Sequence, residues 1–276
     1  MNIKHIFQAS AVASALVLAG CGGDINITEG DITNTNTTTT TNNAPSTPST
    51  PVVDDSAPGV ASPFLSSQVS TALGSSVEVR SLSGRISSVG DAAETITLTN
   101  DTVWALEGPV IIGDDNENSV TLEIEPGTII FGRSGADYLV ISRGSKIEST
   151  GSATDPVIMT SYNDVVGAEV GPGQWGGLVI LGNAPSTKFP TDGTACALQV
   201  EGAVEGSVFG GTDATDNSGI LRYTVVKYAG FEIAPDNELN GITFGGVGSE
   251  TTVEYVQVHA NSDDGVEFFG GSVNGK

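Results

Sequence analysis

Short runs of alternating apolar and polar residues fill the chain from about residue 77 onward. In Val120-Thr-Leu-Glu-Ile124 the alternation puts three apolar side chains on one face and two polar ones on the other, as in a half-buried strand. Val110-Ile-Ile112, Thr128-Ile-Ile-Phe131, Leu139-Val-Ile141, Lys146-Ile-Glu148 and Val157-Ile-Met-Thr160 are equally short and mostly β-branched, a strand composition. Gly, Asp, Asn or Pro bounds each run, and these are the residues that make tight turns. Residues 77–86 and 95–104 alternate more weakly and are expected to build the first edge of the domain. No apolar period near 3.6 is sustained past residue 64, so the pattern predicts an all-β domain over 64–276.

One stretch repeats itself. Leu221-Arg-Tyr-Thr-Val-Val-Lys-Tyr-Ala229 reads against Val253-Glu-Tyr-Val-Gln-Val-His-Ala260, with Tyr223 over Tyr255 and Val226 over Val258. Asn240-Gly-Ile-Thr-Phe-Gly-Gly246 reads against Asp264-Gly-Val-Glu-Phe-Phe-Gly-Gly271. The first pair lies 32 residues apart and the second 24, which an insertion at 231–239 explains. Strand units that return after a few tens of residues predict coils stacked into a solenoid. Equivalent strands should then run parallel at about 4.8 Å, with Arg222 facing Glu254, Ile242 facing Val266 and Phe244 facing Phe268 or Phe269. A sandwich would favour two-residue hairpin turns instead.

Ile124-Glu-Pro-Gly-Thr-Ile-Ile130, followed by Leu139-Val-Ile-Ser-Arg-Gly-Ser-Lys-Ile147, resembles the opening coils of pectin-lyase-like proteins. Pro156-Val-Ile-Met-Thr-Ser161 and Gly173-Gln-Trp-Gly-Gly-Leu-Val-Ile-Leu-Gly182 are similar to exported bacterial lipoproteins of the same kind. The resemblance covers about 109–276 and implies a right-handed parallel β-helix. It lies in coil motifs, not in a catalytic signature. The chain stops at Asn274-Gly-Lys276, straight after a strand of the second type, and a fragment of a longer protein is the expectation.

The first twenty residues read as a targeting segment. Lys4 supplies a positive start, residues 6–18 are mostly apolar, and Leu18-Ala-Gly-Cys21 resembles the lipobox of bacterial lipoproteins. That resemblance implies cleavage before Cys21 and lipid on its sulfur and new amino group. Gly22 and Gly23 take the place of an inner-membrane retention signal, so the outer membrane is the expected location. Residues 21–63, with Asn34-Thr-Asn-Thr-Thr-Thr-Thr-Thr-Asn-Asn43 and Pro45-Ser-Thr-Pro-Ser-Thr-Pro51, have almost nothing apolar to bury. They are expected to form a disordered tether spanning roughly 35 Å or more.

The formal charge is −23; removing residues 1–20, which hold Lys4 and no acid, takes it to −24. So acidic a chain disfavours nucleic acid and anionic membrane surfaces as partners, and no nucleic acid is expected. The expected membrane contact is the lipid anchor, and the expected partners are polysaccharide or another surface protein. Cys21 and Cys196 are the two cysteines, so a lipidated Cys21 leaves Cys196 without an intramolecular partner.

Four polar clusters offer the oxygen ligands that Ca²⁺ prefers: Asp114-Asp-Asn-Glu117, Asp213-Ala-Thr-Asp-Asn217, Asp236-Asn-Glu238 and Asn261-Ser-Asp-Asp264. None matches an EF-hand loop. Gly245-Gly-Val-Gly-Ser-Glu-Thr-Thr-Val253 approaches a calcium-binding nonapeptide and occurs once, where true arrays recur. Asn261, Asp263, Asp264 and Glu267 form the preferred metal candidate, with Ca²⁺ as a possible ligand and no cofactor required. Arg222, Lys227 and His259 are the basic residues near these acids, and Lys227 and His259 fall at matching positions. Tyr223, Tyr228, Tyr255, Phe244, Phe268, Phe269 and Trp175 could stack on sugar or on each other. No nucleophile, base and orienting group converge in sequence. The expected function is a non-enzymatic binding or structural β-helix on an envelope lipoprotein. The alternative is a Ca²⁺-dependent polysaccharide lyase or hydrolase.

Overall fold

The computed structural model describes residues 58–87, 94–187, 197–204, 206–235 and 237–276. The targeting segment, most of the tether, Cys21, Cys196 and Asp236 lie outside the described residues.

The strand Thr102–Ile112 shows how the coils form. Its first part pairs with Ile129–Gly132 and its second part with Tyr138–Ile141. Between them Gly108 takes a φ of 73°, a left-handed conformation open to glycine, and the strand turns from one face to the next. A first face stacks Glu78–Ile86, Thr102–Ile112, Ile129–Gly132, Val157–Ser161, Thr224–Lys227 and Gln257–His259, all parallel. A second face stacks the end of Thr102–Ile112 with Tyr138–Ile141, Gly177–Leu181, Ile242–Gly245 and Val266–Phe269. A third stacks Glu94–Leu98, Val120–Ile124, Lys146–Thr150, Gly219–Arg222, Thr252–Glu254 and Asn274–Gly275. On every face the neighbour of a strand is its equivalent one coil later. This is the parallel β-helix expected from the repeat.

The registers match the repeat residue for residue. Leu221 pairs with Val253, Arg222 with Glu254 and Val226 with Val258. Ile242 pairs with Val266 and Phe244 with Phe268. The first repeat unit, however, is two strands rather than one. Tyr223 and Tyr255, at φ 46° and 54°, break it between the third and first faces. Residues 95–104 divide in the same way, into Glu94–Leu98 and the start of Thr102–Ile112.

Inward side chains form rows along the axis. Trp104, Ile130, Met159, Val226 and Val258 follow one another through the first face. The first four of these are buried, and Val258 packs against the same cluster at its edge. Burying apolar area in this way is the dominant stabilising term. A polar pair interrupts the apolar lining: the Ser149 and Thr224 hydroxyls share a hydrogen bond of 2.7 Å, which removes the cost of burying them.

Two helices depart from the strand-only expectation. Helix α1, Pro63–Leu73, buries Leu65 and Val69 against Val79, Val103, Ala105, Phe131 and Val165 on the outside of the first face. Only this i, i+4 pair is apolar and buried, too little to register as a 3.6 period. Pro63 at its first turn and Gly74 at its C-terminal end, φ 68°, are ordinary helix boundaries. Helix α2, Tyr162–Val166, is a five-residue excursion between Val157–Ser161 and the second face. Val60–Ala61, within the stretch read as tether, pairs antiparallel with Glu78–Ile86. The insertion at 231–239 contains the hairpin Glu232–Ala234 with Asn237–Glu238, and a second hairpin joins Leu198–Gln199 to Val208–Phe209.

Candidate functional site

The last two coils gather the polar groups singled out by sequence. On the first face Lys227 and His259 are direct ladder partners. Lys227 Nζ lies 2.6 Å from Asp164 Oδ2, and the Thr160 hydroxyl donates to the same oxygen at 2.8 Å. Asp164 belongs to α2, where its N–H donates to the capping Ser161 hydroxyl. The ammonium also sits 5.1 Å from the centre of the Tyr228 ring, which meets His259 edge-on at 5.6 Å. The arrangement ties α2 to the first face. A general base needs a lone pair facing substrate, and Lys227 is turned onto Asp164 instead. Arg222 is likewise engaged, 3.1 Å from Glu254.

Residues 261–265 carry the chain from Gln257–His259 to the second-face strand Val266–Phe269. Asn261 Nδ2 donates to the Asp264 carbonyl at 2.8 Å and closes its own turn. Glu267 faces outward and accepts a 2.6 Å hydrogen bond from Asn240 Nδ2. Burial pushes the Glu267 carboxyl above its ordinary value, the Asn240 hydrogen bond opposes this, and Glu201, Asp264 and Asp263 add repulsion. Asp263, Asp264 and Glu267 are therefore neighbours, with Glu201 and Asn240 added. Among the described residues, no three His, Cys, Asp or Glu side chains form a group able to hold a metal ion. Asn240 aligns with Asp264 in the repeat, a signal present in the sequence. Glu201 carries no such signal, since a long excursion brings it there.

Beside this corner is a cavity of about 410 Å³ lined by Leu198, Val200, Phe209, Phe269, Glu201 and Asn237. Phe209 and Phe269 pack tilted at 5.9 Å. A second cleft, about 520 Å³, opens between α1 and the bend of Thr102–Ile112 and is lined by Phe64, Gln68, Tyr162, Glu107 and Arg133 among others. Arg133 pairs with Glu107 at 2.6 Å. The Ser81 hydroxyl is the main group holding the Glu107 carboxyl below its ordinary value.

The other candidates have structural partners. Arg143 grips Asp115 through two hydrogen bonds of 2.6 and 2.8 Å, and Arg85 pairs with Asp114 at 3.1 Å. Asp216 is buried and accepts from Asn183 N–H, the Ser218 hydroxyl and Gly248 N–H. Gly248 thus meets a carboxylate of its own chain within the stretch that approaches a nonapeptide repeat. Trp175 is fully buried, its Nε1–H donating to the Lys227 carbonyl at 2.7 Å. Phe244 is buried as well and stacks on Phe268 at 5.2 Å.

A family model described as a pectate-lyase like beta helix domain matches residues 90–276. The chain belongs to this family. No curated protein and no solved structure matches it. Within the pectate-lyase like match lie the second and third faces, the first face apart from Glu78–Ile86, the acidic corner and the Lys227 row. Membership identifies the scaffold, and the same scaffold carries many chemistries.

Proposed function

We propose that this protein is an outer-membrane lipoprotein, anchored through Cys21, whose β-helix has a binding or structural role and does not turn over substrate. The observation that carries this reading is the engagement of Lys227 with Asp164 at 2.6 Å. Lys227, one of the basic residues read as near the acidic clusters, is used to hold α2 in position. Leu18-Ala-Gly-Cys21 and the polar stretch after it support a tethered location.

A second reading, a polysaccharide lyase or hydrolase assisted by Ca²⁺, draws on Glu267. A carboxyl raised by burial beside other carboxylates is the kind of group that serves as a general acid. The deciding experiment incubates the purified protein with acidic and neutral polysaccharides, with and without Ca²⁺. Retention without cleavage is expected. New reducing or unsaturated ends, lost in Asp263→Asn, Asp264→Asn or Glu267→Gln, would replace the binding reading with the enzymatic one.

A further inference from the structure

The cleft between α1 and the bend of Thr102–Ile112 takes its lining from four separate elements. Phe64 and Gln68 come from α1, Glu107 from the bend, Arg133 from the turn after Ile129–Gly132, and Tyr162 from α2. Its volume of about 520 Å³ lies in the range of small-molecule sites. Internal bonds hold these walls in place. Asp137 is 4% exposed and accepts from the Gly108 N–H at 2.7 Å and the Ser134 N–H at 2.6 Å. The Tyr162 hydroxyl donates to Gln68 Oε1 and links α2 to α1.

Several polar atoms of the lining are left over. Glu107 accepts from both Ser81 and Arg133 through Oε1, so its Oε2 has no partner among the described residues. Arg133 uses only Nη1 on Glu107 and keeps its other donors, and Gln68 keeps Nε2. The Arg133 and Glu107 side chains are half-exposed, within reach of a ligand. Beside them the Phe64 ring is 69% exposed, while its neighbour Leu65 is buried. An open ring next to open donors and acceptors suits a ligand with one apolar side and one polar side.

Charge narrows the class. The Ser81 hydroxyl keeps the Glu107 carboxyl ionised, and Arg133 is already paired with it at 2.6 Å. An anion would meet Glu107 and Asp137 with the guanidinium engaged, and a cation would meet the guanidinium itself. A wholly apolar ligand would strip water from both charges and return no hydrogen bond. A neutral body with a C–H face and hydroxyls that both donate and accept satisfies every wall.

We propose that this cleft binds a neutral sugar residue, with Phe64 packing on its C–H face, Gln68 and Arg133 donating to its hydroxyls and Glu107 accepting from them. The proposal rests on the binding reading above and gives it a site. Cleavage of a polysaccharide would overturn that reading, whereas an empty cleft overturns only this one.

Oligosaccharides of glucose, galactose, mannose and N-acetylglucosamine are the neutral probes, and trigalacturonate is the acidic one. Each is titrated by calorimetry into the purified protein. At least one neutral probe should bind, and more tightly than trigalacturonate. Phe64→Ala should weaken it by about tenfold, the value of an aromatic contact, and Gln68→Ala by about fivefold, that of a hydrogen bond. Tyr255→Ala, which removes a similarly exposed ring on the last coil, should leave binding unchanged. Phe64 is exposed, so its truncation spares the core, and unfolding curves confirm that each variant folds. Three results would each overturn the proposal: no neutral probe binds, trigalacturonate binds at least as tightly as the best of them, or binding survives in both Phe64→Ala and Gln68→Ala.

Discussion

Tyr223 lies face to face on Tyr255, with ring centroids 4.6 Å apart and planes within 8°. Both residues hold left-handed φ angles, 46° and 54°, at the same corner of successive coils. That conformation costs a non-glycine residue about 1–2 kcal/mol, and a stacked aromatic pair returns about 0.5–1.5 kcal/mol beyond its burial. Two such residues together cost about 2–4 kcal/mol, so the one stack offsets only part of the strain at this corner. Gly151 holds the equivalent place one coil earlier without a left-handed φ; space is its constraint, since a Cβ there would lie 2.5 Å from the Tyr223 carbonyl oxygen.

Substitution at Tyr255 should separate the two terms. Tyr255→Ala loses the stack and keeps the strain, and is expected to cost about 1 kcal/mol. Tyr255→Gly loses the stack but relieves the strain, so it should be the more stable variant of the two. Urea unfolding of both variants measures the difference. A glycine variant less stable than the alanine one would show that the corner is not strained.

Gly219 should tolerate no side chain. Its φ is 109°, and an added Cβ would stand 2.0 Å from the Ile147 carbonyl oxygen of the preceding coil. Gly219→Ala is expected to lose about 3 kcal/mol or more, because the coils must part to admit it. Gly84→Ala, with φ 65° and nothing within 4 Å of the new atom, should lose only about 1–2 kcal/mol. Denaturant midpoints of the two variants compare close coil contact with backbone strain alone.

Glu267 should give stability a dependence on pH. Burial raises its carboxyl in the folded chain, so the fold holds that proton more tightly than the unfolded chain does. The resulting stability is complete below the ordinary glutamate value and is lost as pH climbs through the raised one. Glu267→Gln imitates the protonated form and keeps an acceptor for Asn240. It should melt above the wild type at pH 8, with the gap closing by about pH 4. A constant gap across that range would mean that Glu267 is not the group responsible.

Cys21→Ser should release the protein from the membrane fraction and abolish incorporation of labelled fatty acid. Retention with the lipid label intact would remove the anchor from the proposed function.

The stacking of coils is readable in the chain because a parallel helix places the same residue types over one another. The repeat sets Tyr223 over Tyr255, Val226 over Val258 and Arg222 against Glu254, and the registers agree. The division of that unit into two strands was hidden, because tyrosine is not a residue that announces a left-handed corner. Helix α1 was also missed: its bond to the fold is Leu65 and Val69 on one side, with no full amphipathic stripe.

Asp263, Asp264 and Glu267 could be grouped from spacing, since a tight turn keeps near neighbours together. Glu201 could not. It stands 66 residues before Glu267, and the excursion that holds it returns to the second face through Val200 and Phe209 packing on Val179 and Leu181. Glu267 is raised by burial, and Asn240, which donates to it, is buried as well. Burial at this depth is a matter of packing between distant segments that no local pattern encodes.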